Sequence, residues 1–189
     1  AVASGPAGFE EAFGGRFAEA GDGDPAAPRN WIKAYPCCLQ AHSAIELATA
    51  VPDDGELTVS VHPRARQAAA YDEVEDGLQA KFSIPYLVAY TLLHGAPRTP
   101  DAFHAVDPDA RALAAELVTV VTDDELGEAE AVLLVDGEEA ARVPYAMGAP
   151  QNPMSDEELA RKLHDLAGGR LDGALDDLAA PTSRLLLFA

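Results

Sequence analysis

A thiol and an imidazole stand four residues apart at Cys38 and His42, with Lys33 shortly before them. Residues at positions i and i+4 lie on the same face of a helix, so this spacing can present both groups to one pocket. The lysine adds positive charge beside a predicted helix start, where free N–H groups already favour an anion. Together these groups could bind a carboxylate and transfer a proton next to it.

A second set of candidate residues surrounds the next predicted helix start. Lys81 precedes it, Ser83 can cap the helix, and Tyr86 lies in the first turn, where its hydroxyl could donate to a substrate oxygen. Lysine is rare in this chain, because Lys33, Lys81 and Lys162 are its only examples, and two of the three precede predicted helix starts. Both helix starts are therefore candidate carboxylate sites.

Structural roles could explain the same residues without chemistry. Cys38 can be a small buried residue and His42 a core or surface histidine, while Tyr86 can be a core aromatic because Tyr90 follows one turn later. A zinc site from Cys37, Cys38 and His42 is disfavoured, since adjacent cysteines lack the spacing of structural zinc ligands. We expect no metal site and no cofactor.

Three helices are predicted from hydrophobic spacing and terminal residues. One covers residues 36–51, with Pro36 in its first turn, and a buried one covers residues 82–94, with Gly95 just past its end. The third follows a capping box formed by Ser155 and Glu158. The first two helices would carry the candidate residues.

Four runs rich in β-branched and aliphatic residues predict strands, at residues 57–61, 117–122, 131–135 and 140–145. Asp136-Gly137, between the last two, is typical of a hairpin turn. We therefore expect an α+β fold, in which helices pack on a meander-like antiparallel sheet. The first 30 residues, rich in Gly, Ala, Asp and Pro, predict a connector before this domain at residues 31–150 and a C-terminal helical segment at residues 151–189.

Charge and composition limit the class of function. Thirteen Lys and Arg residues against 32 Asp and Glu residues give a formal net charge of -19, which repels nucleic acid and anionic membrane surfaces. No apolar run approaches the roughly 20 residues of a membrane-spanning helix. Adjacent Cys37 and Cys38 imply no disulfide framework. We expect a cytoplasmic protein that binds neither nucleic acid nor membrane.

The run Lys33-Ala34-Tyr35-Pro36-Cys37-Cys38, with His42 following, resembles the Lys-x-Tyr-Pro-Cys-Cys signature of the MmgE/PrpD family. The resemblance continues in order through Ala-Lys-Phe-Ser-Ile-Pro-Tyr at residues 80–86, the Asp136-Gly137 hairpin, and Gly-Ala-Pro-Gln-Asn-Pro-Met-Ser at residues 148–155. Four signatures in the same order make a chance resemblance improbable.

The resemblance implies a two-domain enzyme with its active site between a large helical domain and a smaller α+β lid domain. The family includes 2-methylcitrate dehydratase, cis-aconitate decarboxylase and iminodisuccinate epimerase, which share di- or tricarboxylate substrates. Lys33 matches a family active-site lysine, and Tyr86 matches a tyrosine that lines the pocket in the decarboxylase branch. Cys38 stands where the decarboxylases have a histidine, and His42 aligns with a histidine one turn further on.

These observations predict the C-terminal part of a lyase or isomerase that acts next to a carboxylate of a small substrate. Lys33, Tyr86, His42 and Cys38 are the candidate catalytic residues, and Lys33, Lys81 and Ser83 are the candidate substrate-binding residues. The predicted partner is a helical N-terminal domain or subunit, in a homodimer or hetero-oligomer, and the chain alone should have little activity. The alternative is a non-catalytic association or ligand-binding module that docks on a separate helical subunit.

Overall fold

The computed structural model describes Gly14, residues 30–49 and residues 56–170. The chain divides into two compact units, Ala1–Asn30 and Trp31–Ala189, and nearly every described residue belongs to the second. The predicted connector over residues 1–30, the predicted end of the first helix at Val51, and the part of the C-terminal segment after residue 170 lie outside the described residues, apart from Gly14 and Asn30.

The described residues form six α-helices and four β-strands. The helices are α1 (His42–Ala48), α2 (Pro63–Ala68), α3 (Gly77–Ala80), α4 (Ile84–His94), α5 (Pro108–Leu117) and α6 (Asp156–Ala167). The strands are β1 (Leu57–Val61), β2 (Val118–Thr122), β3 (Ala131–Val135) and β4 (Glu138–Val143). Two 3₁₀ turns, Leu39–Ala41 and Pro100–Phe103, come before α1 and α5. Among the described helices, none is both long and apolar enough to cross a bilayer.

The four strands form one mixed sheet in the order β2-β1-β3-β4. β1 runs parallel to β2 and antiparallel to β3, which is antiparallel to β4. The predicted α+β fold is confirmed, but the prediction of a purely antiparallel sheet is wrong. Helices α2 to α5 all lie in the connection from β1 to β2, and such a crossover returns the chain to the same end of the sheet. The two strands that it joins are therefore parallel.

The hairpin predicted at Asp136-Gly137 joins β3 to β4. Asp136 has φ 51° and Gly137 has φ 85°, and two successive positive φ angles are the mark of the type I′ turn that suits a right-handed twisted hairpin. The Asp136 carboxylate also accepts the Glu56 N–H at 3.0 Å, which fixes the turn to the start of β1. β4 begins directly after the turn, two residues before the predicted start.

Capping residues at the N-termini of α4 and α6 fix where these two helices begin, as the sequence predicts. The Ser83 hydroxyl accepts the Tyr86 N–H at 3.2 Å and caps α4, with Pro85 in its first turn and Gly95 just after its end. In α6, the Ser155 hydroxyl accepts the Glu158 N–H while the Glu158 carboxylate accepts the Ser155 N–H. The predicted cap and the predicted capping box are confirmed.

The first predicted helix begins later than expected. Residues 34–37 form bends, and Cys38 keeps an extended ψ of 128° as the residue before the 3₁₀ turn, so α-helix begins only at His42. The Cys38 N–H donates to the Lys81 carbonyl at 2.9 Å. A helix from Pro36 is wrong because this segment is held by a distant part of the chain.

The hydrophobic core lies between the sheet and the pair α1 and α4. Leu57, Val59 and Val61 of β1 are almost completely buried, as are most residues of α1 and α4. Burying each large aliphatic side chain contributes about 1.5–3 kcal/mol, so this layer stabilises the described unit. Both helices that carry candidate residues are therefore fixed by the core.

Candidate functional site

The starts of the two helices predicted to carry the site lie next to each other. The hydrogen bond from the Cys38 N–H to the Lys81 carbonyl joins the segment before α1 to the segment before α4. α1 and α4 also pack against each other. The structure therefore brings Lys33, Lys81, Cys38 and His42 into one neighbourhood.

Two lysines flank the backbone at Cys37. The Lys33 Nζ donates to the Cys37 carbonyl at 3.0 Å, and its side chain is exposed. The Lys81 Nζ lies 5.5 Å from the centre of the Phe103 ring. Burial and Cys38 raise the pKa of the Cys37 thiol to about 12, and the charges of both lysines act against that rise. The two ammonium groups thus form a local positive region in a strongly acidic chain.

His42 is fully buried, and neither of its ring nitrogens makes a hydrogen bond with a described residue. Burial lowers the pKa of its imidazole to about 4, and the Lys33 charge adds to the effect. The Tyr35 and Cys37 carbonyls near the ring oppose this shift, although neither makes a hydrogen bond of normal geometry with it. A buried polar ring without hydrogen-bond partners costs free energy of folding. Such a ring is therefore a candidate for contact with a ligand or for a role in a reaction.

Tyr35, before α1, and Glu46, on α1, extend this group, and neither was predicted. The Tyr35 ring meets the His42 ring edge-on, with 5.0 Å between centres and 67° between planes. The Glu46 carboxylate accepts the Met147 N–H at 2.7 Å, and burial raises the pKa of both Glu46 and Tyr35. Glu46 follows His42 by four residues, so helical spacing was the signal that could have identified it.

Both cysteines are buried and free. Cys38 stands directly before the 3₁₀ turn that leads into α1, with its backbone N–H held by Lys81. Its thiol lies in the same short segment as Lys33 and His42, and its backbone contacts the segment with Lys81. In the described part of the chain, no three side chains of the His, Cys, Asp or Glu type are arranged to hold a metal ion.

Tyr86 and Ser83 lie deeper in the fold. Tyr86 is fully buried, its hydroxyl accepts the Asp107 N–H at 2.9 Å, and burial raises its pKa. It lines a cavity of about 680 Å³ between α4, α5 and the loop at Tyr71–Glu75, and Lys33 is not among the lining residues. Ser83 is also buried and is occupied by capping α4. Their predicted roles at the substrate stay predictions.

The neutral imidazole of His42 should make the protein less stable in mild acid. Its pKa is 6.5 when unfolded and about 4 when folded, so the unfolded chain binds the proton first as the pH falls. The stabilisation is complete above pH 6.5 and should be lost towards pH 4, by about 3 kcal/mol in the free energy of unfolding. Urea unfolding at a series of pH values measures this loss.

A His42→Phe variant is the control for that measurement, because its ring binds no proton. The variant should lose clearly less stability than the wild type between pH 6.5 and pH 4, whatever its stability at neutral pH. Identical pH slopes for the two proteins would show that His42 is not held neutral by the fold.

Comparison with known proteins adds one positive finding. A family model for the MmgE/PrpD C-terminal domain matches residues 35–180 of the 189. The matched range holds the four strands and six helices of the described residues and the segment with Cys37, Cys38 and His42, and it begins two residues after Lys33. No curated protein matches the chain.

Proposed function

The chain belongs to the MmgE/PrpD family through the C-terminal domain of that family, and from this premise we propose that it forms one side of the active site of a lyase or isomerase. The reaction takes place next to a carboxylate of a small di- or tricarboxylate substrate. The observation that carries the proposal is the hydrogen bond of 2.9 Å from the Cys38 N–H to the Lys81 carbonyl, which joins the segment after Lys33 to the start of α4, four residues before the buried, unpartnered ring of His42.

Removal of a proton or of CO2 next to a carboxylate places additional negative charge on the substrate. A fixed ammonium group stabilises such charge in the transition state more strongly than water does. Lys33 is suited to this role because the Cys37 carbonyl holds its Nζ while the side chain is still exposed to an incoming ligand. Lys81 would bind a substrate carboxylate from the second helix start.

His42 would exchange a hydrogen bond or a proton with the substrate. Its pKa of about 4 keeps the ring uncharged near neutral pH, so one nitrogen can donate and the other can accept. The Cys38 thiol, one turn earlier, would be a weak hydrogen-bond donor to the same substrate. Tyr86 and Ser83 contribute less to the proposal, since their hydroxyl groups are already engaged within the fold.

The site requires a second polypeptide or domain. A C-terminal domain of this family implies an N-terminal partner domain, and we propose that a helical partner covers Lys33 and provides the remaining acid and base groups. Ile32 and Tyr145 are large, exposed apolar residues. Ile32 directly precedes Lys33, and its N–H donates to the carbonyl of Gly148, three residues after Tyr145, at 2.9 Å, so exposed apolar surface is available next to Lys33 for that partner.

Reconstitution with the helical partner tests this function. The chain and an MmgE/PrpD N-terminal helical polypeptide, mixed in equal amounts, should turn over at least one of methylcitrate, cis-aconitate and iminodisuccinate. Each polypeptide alone should be inactive, because each holds only part of the acid and base groups. A stable complex without turnover of any di- or tricarboxylate would contradict the catalytic proposal.

A non-catalytic association module is the second candidate, and the same exposed Ile32 and Tyr145 favour it. In that case the chain docks on a helical subunit and binds or shields a ligand without reacting with it. The mixing experiment separates the candidates, because a pure association module forms the complex but is silent with every substrate. Light scattering on the chain alone and on the mixture would also give the oligomeric state.

A further inference from the structure

A row of three rings follows one face of α4 and ends at a carboxylate of the next helix. Tyr86, Tyr90 and His94 are spaced by four residues, so they share that face. The ring centres of Tyr86 and Tyr90 lie 6.1 Å apart, and those of Tyr90 and His94 lie 4.8 Å apart. The His94 Nε2 lies 3.0 Å from the Asp107 Oδ2. The row therefore connects the first turn of α4 with the start of α5.

Asp107 is held on both sides of its carboxylate. The Oδ1 atom accepts the N–H groups of Asp109 and Ala110, at 2.9 Å each, and so caps α5. The Oδ2 atom contacts His94 in the last turn of α4. These contacts fix the position of the Asp107 backbone N–H, which donates to the Tyr86 hydroxyl at 2.9 Å. One residue thus joins both ends of α4 to the start of α5.

The Tyr86 hydroxyl is only half satisfied by this contact. Its oxygen accepts the Asp107 N–H, but its own proton is donated to no described residue. Tyr86 is fully buried and lines the cavity of about 680 Å³ between α4, α5 and the loop at Tyr71–Glu75. A buried donor without an acceptor costs free energy of folding. An oxygen of a ligand in this cavity would supply the acceptor.

The Asp107 N–H also makes Tyr86 a stronger donor. A hydrogen bond to the phenol oxygen stabilises the charged form of the group and so favours release of its proton. Burial raises the pKa of Tyr86, and the Asp107 N–H opposes this rise. The negative charge of Asp107 adds to the rise by less than the N–H opposes it. The backbone contact is therefore the larger effect of Asp107 on Tyr86.

We propose that Asp107 is a positioning residue for Tyr86, because it fixes the phenol oxygen and leaves the phenol proton for a substrate oxygen in the cavity. This inference rests on the function proposed above, in which Tyr86 is a candidate catalytic residue. It adds a residue that acts through Tyr86 and does not itself touch the substrate.

Two substitutions at Asp107 test the positioning in the 189-residue chain alone. Asp107→Asn and Asp107→Ala both remove the charge, but only asparagine can still cap α5 and hold the N–H in place. The pKa of Tyr86, followed by nuclear magnetic resonance of its ring, should therefore be higher in Asp107→Ala than in Asp107→Asn. Equal pKa values in the two variants would overturn the proposal.

Kinetics of the chain reconstituted with its helical partner give the second test. Asp107→Ala should lower kcat about tenfold with little change in KM, and Asp107→Asn should recover most of the loss. Asp109→Ala is the matched control, because Asp109 lies in the same turn of α5 and its side chain makes no hydrogen bond with a described residue. It should have normal kcat.

A Tyr86→Phe background separates positioning from a general effect on the fold. A residue that acts through the Tyr86 hydroxyl has nothing to position when that hydroxyl is absent, so Asp107→Ala should cause no further fall in kcat there. Equal falls in the Tyr86 and Phe backgrounds would overturn the proposal, since they would show that Asp107 acts independently of the hydroxyl.

The outcomes also distinguish this inference from the catalytic function. A higher Tyr86 pKa in Asp107→Ala than in Asp107→Asn, in a chain that turns over no substrate with its partner, would support the positioning of Tyr86 and contradict the enzyme. Normal kcat in a reconstituted Asp107→Ala enzyme would support the enzyme and overturn the role of Asp107.

Discussion

Replacement of Lys33 by alanine in the complete two-domain enzyme is expected to lower kcat/KM by on the order of a hundredfold or more. The Lys33 ammonium group is held at 3.0 Å from the Cys37 carbonyl, beside the His42 ring, where negative charge would grow on the substrate. Its side chain is exposed, so the unfolding midpoint should hardly change. Steady-state kinetics and thermal unfolding of the same preparation measure both quantities.

Two further variants make the Lys33 test specific. Lys33→Arg keeps the charge but changes its size and proton-transfer capacity, so substantial recovery would favour charge stabilisation over acid or base chemistry. Arg64→Ala removes an exposed cation that pairs with Glu128 at 2.9 Å, and it should have nearly normal kinetics. Wild-type kinetics in a properly folded Lys33→Ala enzyme would exclude Lys33 from the chemistry.

A Gly148→Ala substitution should cost about 4 kcal/mol in the free energy of unfolding. Gly148 has φ 90°, a conformation that strains any residue with a Cβ, and a Cβ at this position would overlap the Ile32 carbonyl oxygen. That oxygen belongs to the backbone, so the overlap can be relieved only by moving the segment that directly precedes Lys33. Urea unfolding measures the loss in stability.

Gly137→Ala is the matched control for this substitution. Gly137 has a similar φ of 85°, but no atom lies within 4 Å of the position of its Cβ, so only the backbone strain of about 1–2 kcal/mol should be lost. The difference between the two variants isolates the contact with Ile32. Equal losses would mean that the turn at Gly148 and the segment before Lys33 are not in contact in solution.

Local signals in the sequence predicted most of the elements but not how the strands are arranged. Ser83, the Ser155 capping box and Asp136-Gly137 each act within a few residues, so the two helices and the hairpin that they define follow from the sequence. The direction of β2 depends on the whole connection through α2 to α5, which no local pattern encodes. The helix α5 was missed although Asp107 and Pro108 provide a cap and a first-turn proline.

The same contrast applies to the candidate site. Lys33, Cys38 and His42 could be associated from sequence because they lie within ten residues on one helix and its approach. The contact of Glu46 with the Met147 N–H could not be predicted, because it joins residues that are 101 positions apart in sequence. The hydrogen bond from the Asp107 N–H to the Tyr86 hydroxyl could not be predicted either, because it joins α4 to the start of a different helix, α5.

The parallel pairing of β1 with β2 also determines the order in which the sheet can assemble. Leu57 of β1 is paired with Val118 and with Val135, so both neighbours of this central strand are distant in sequence, whereas β3 and β4 meet across a two-residue turn. Closing such long loops costs chain entropy before any stabilising contact has formed, and this slows folding. During synthesis the central strand therefore stays without a partner until residues beyond 118 have emerged, and its apolar edges are open to aggregation throughout that interval.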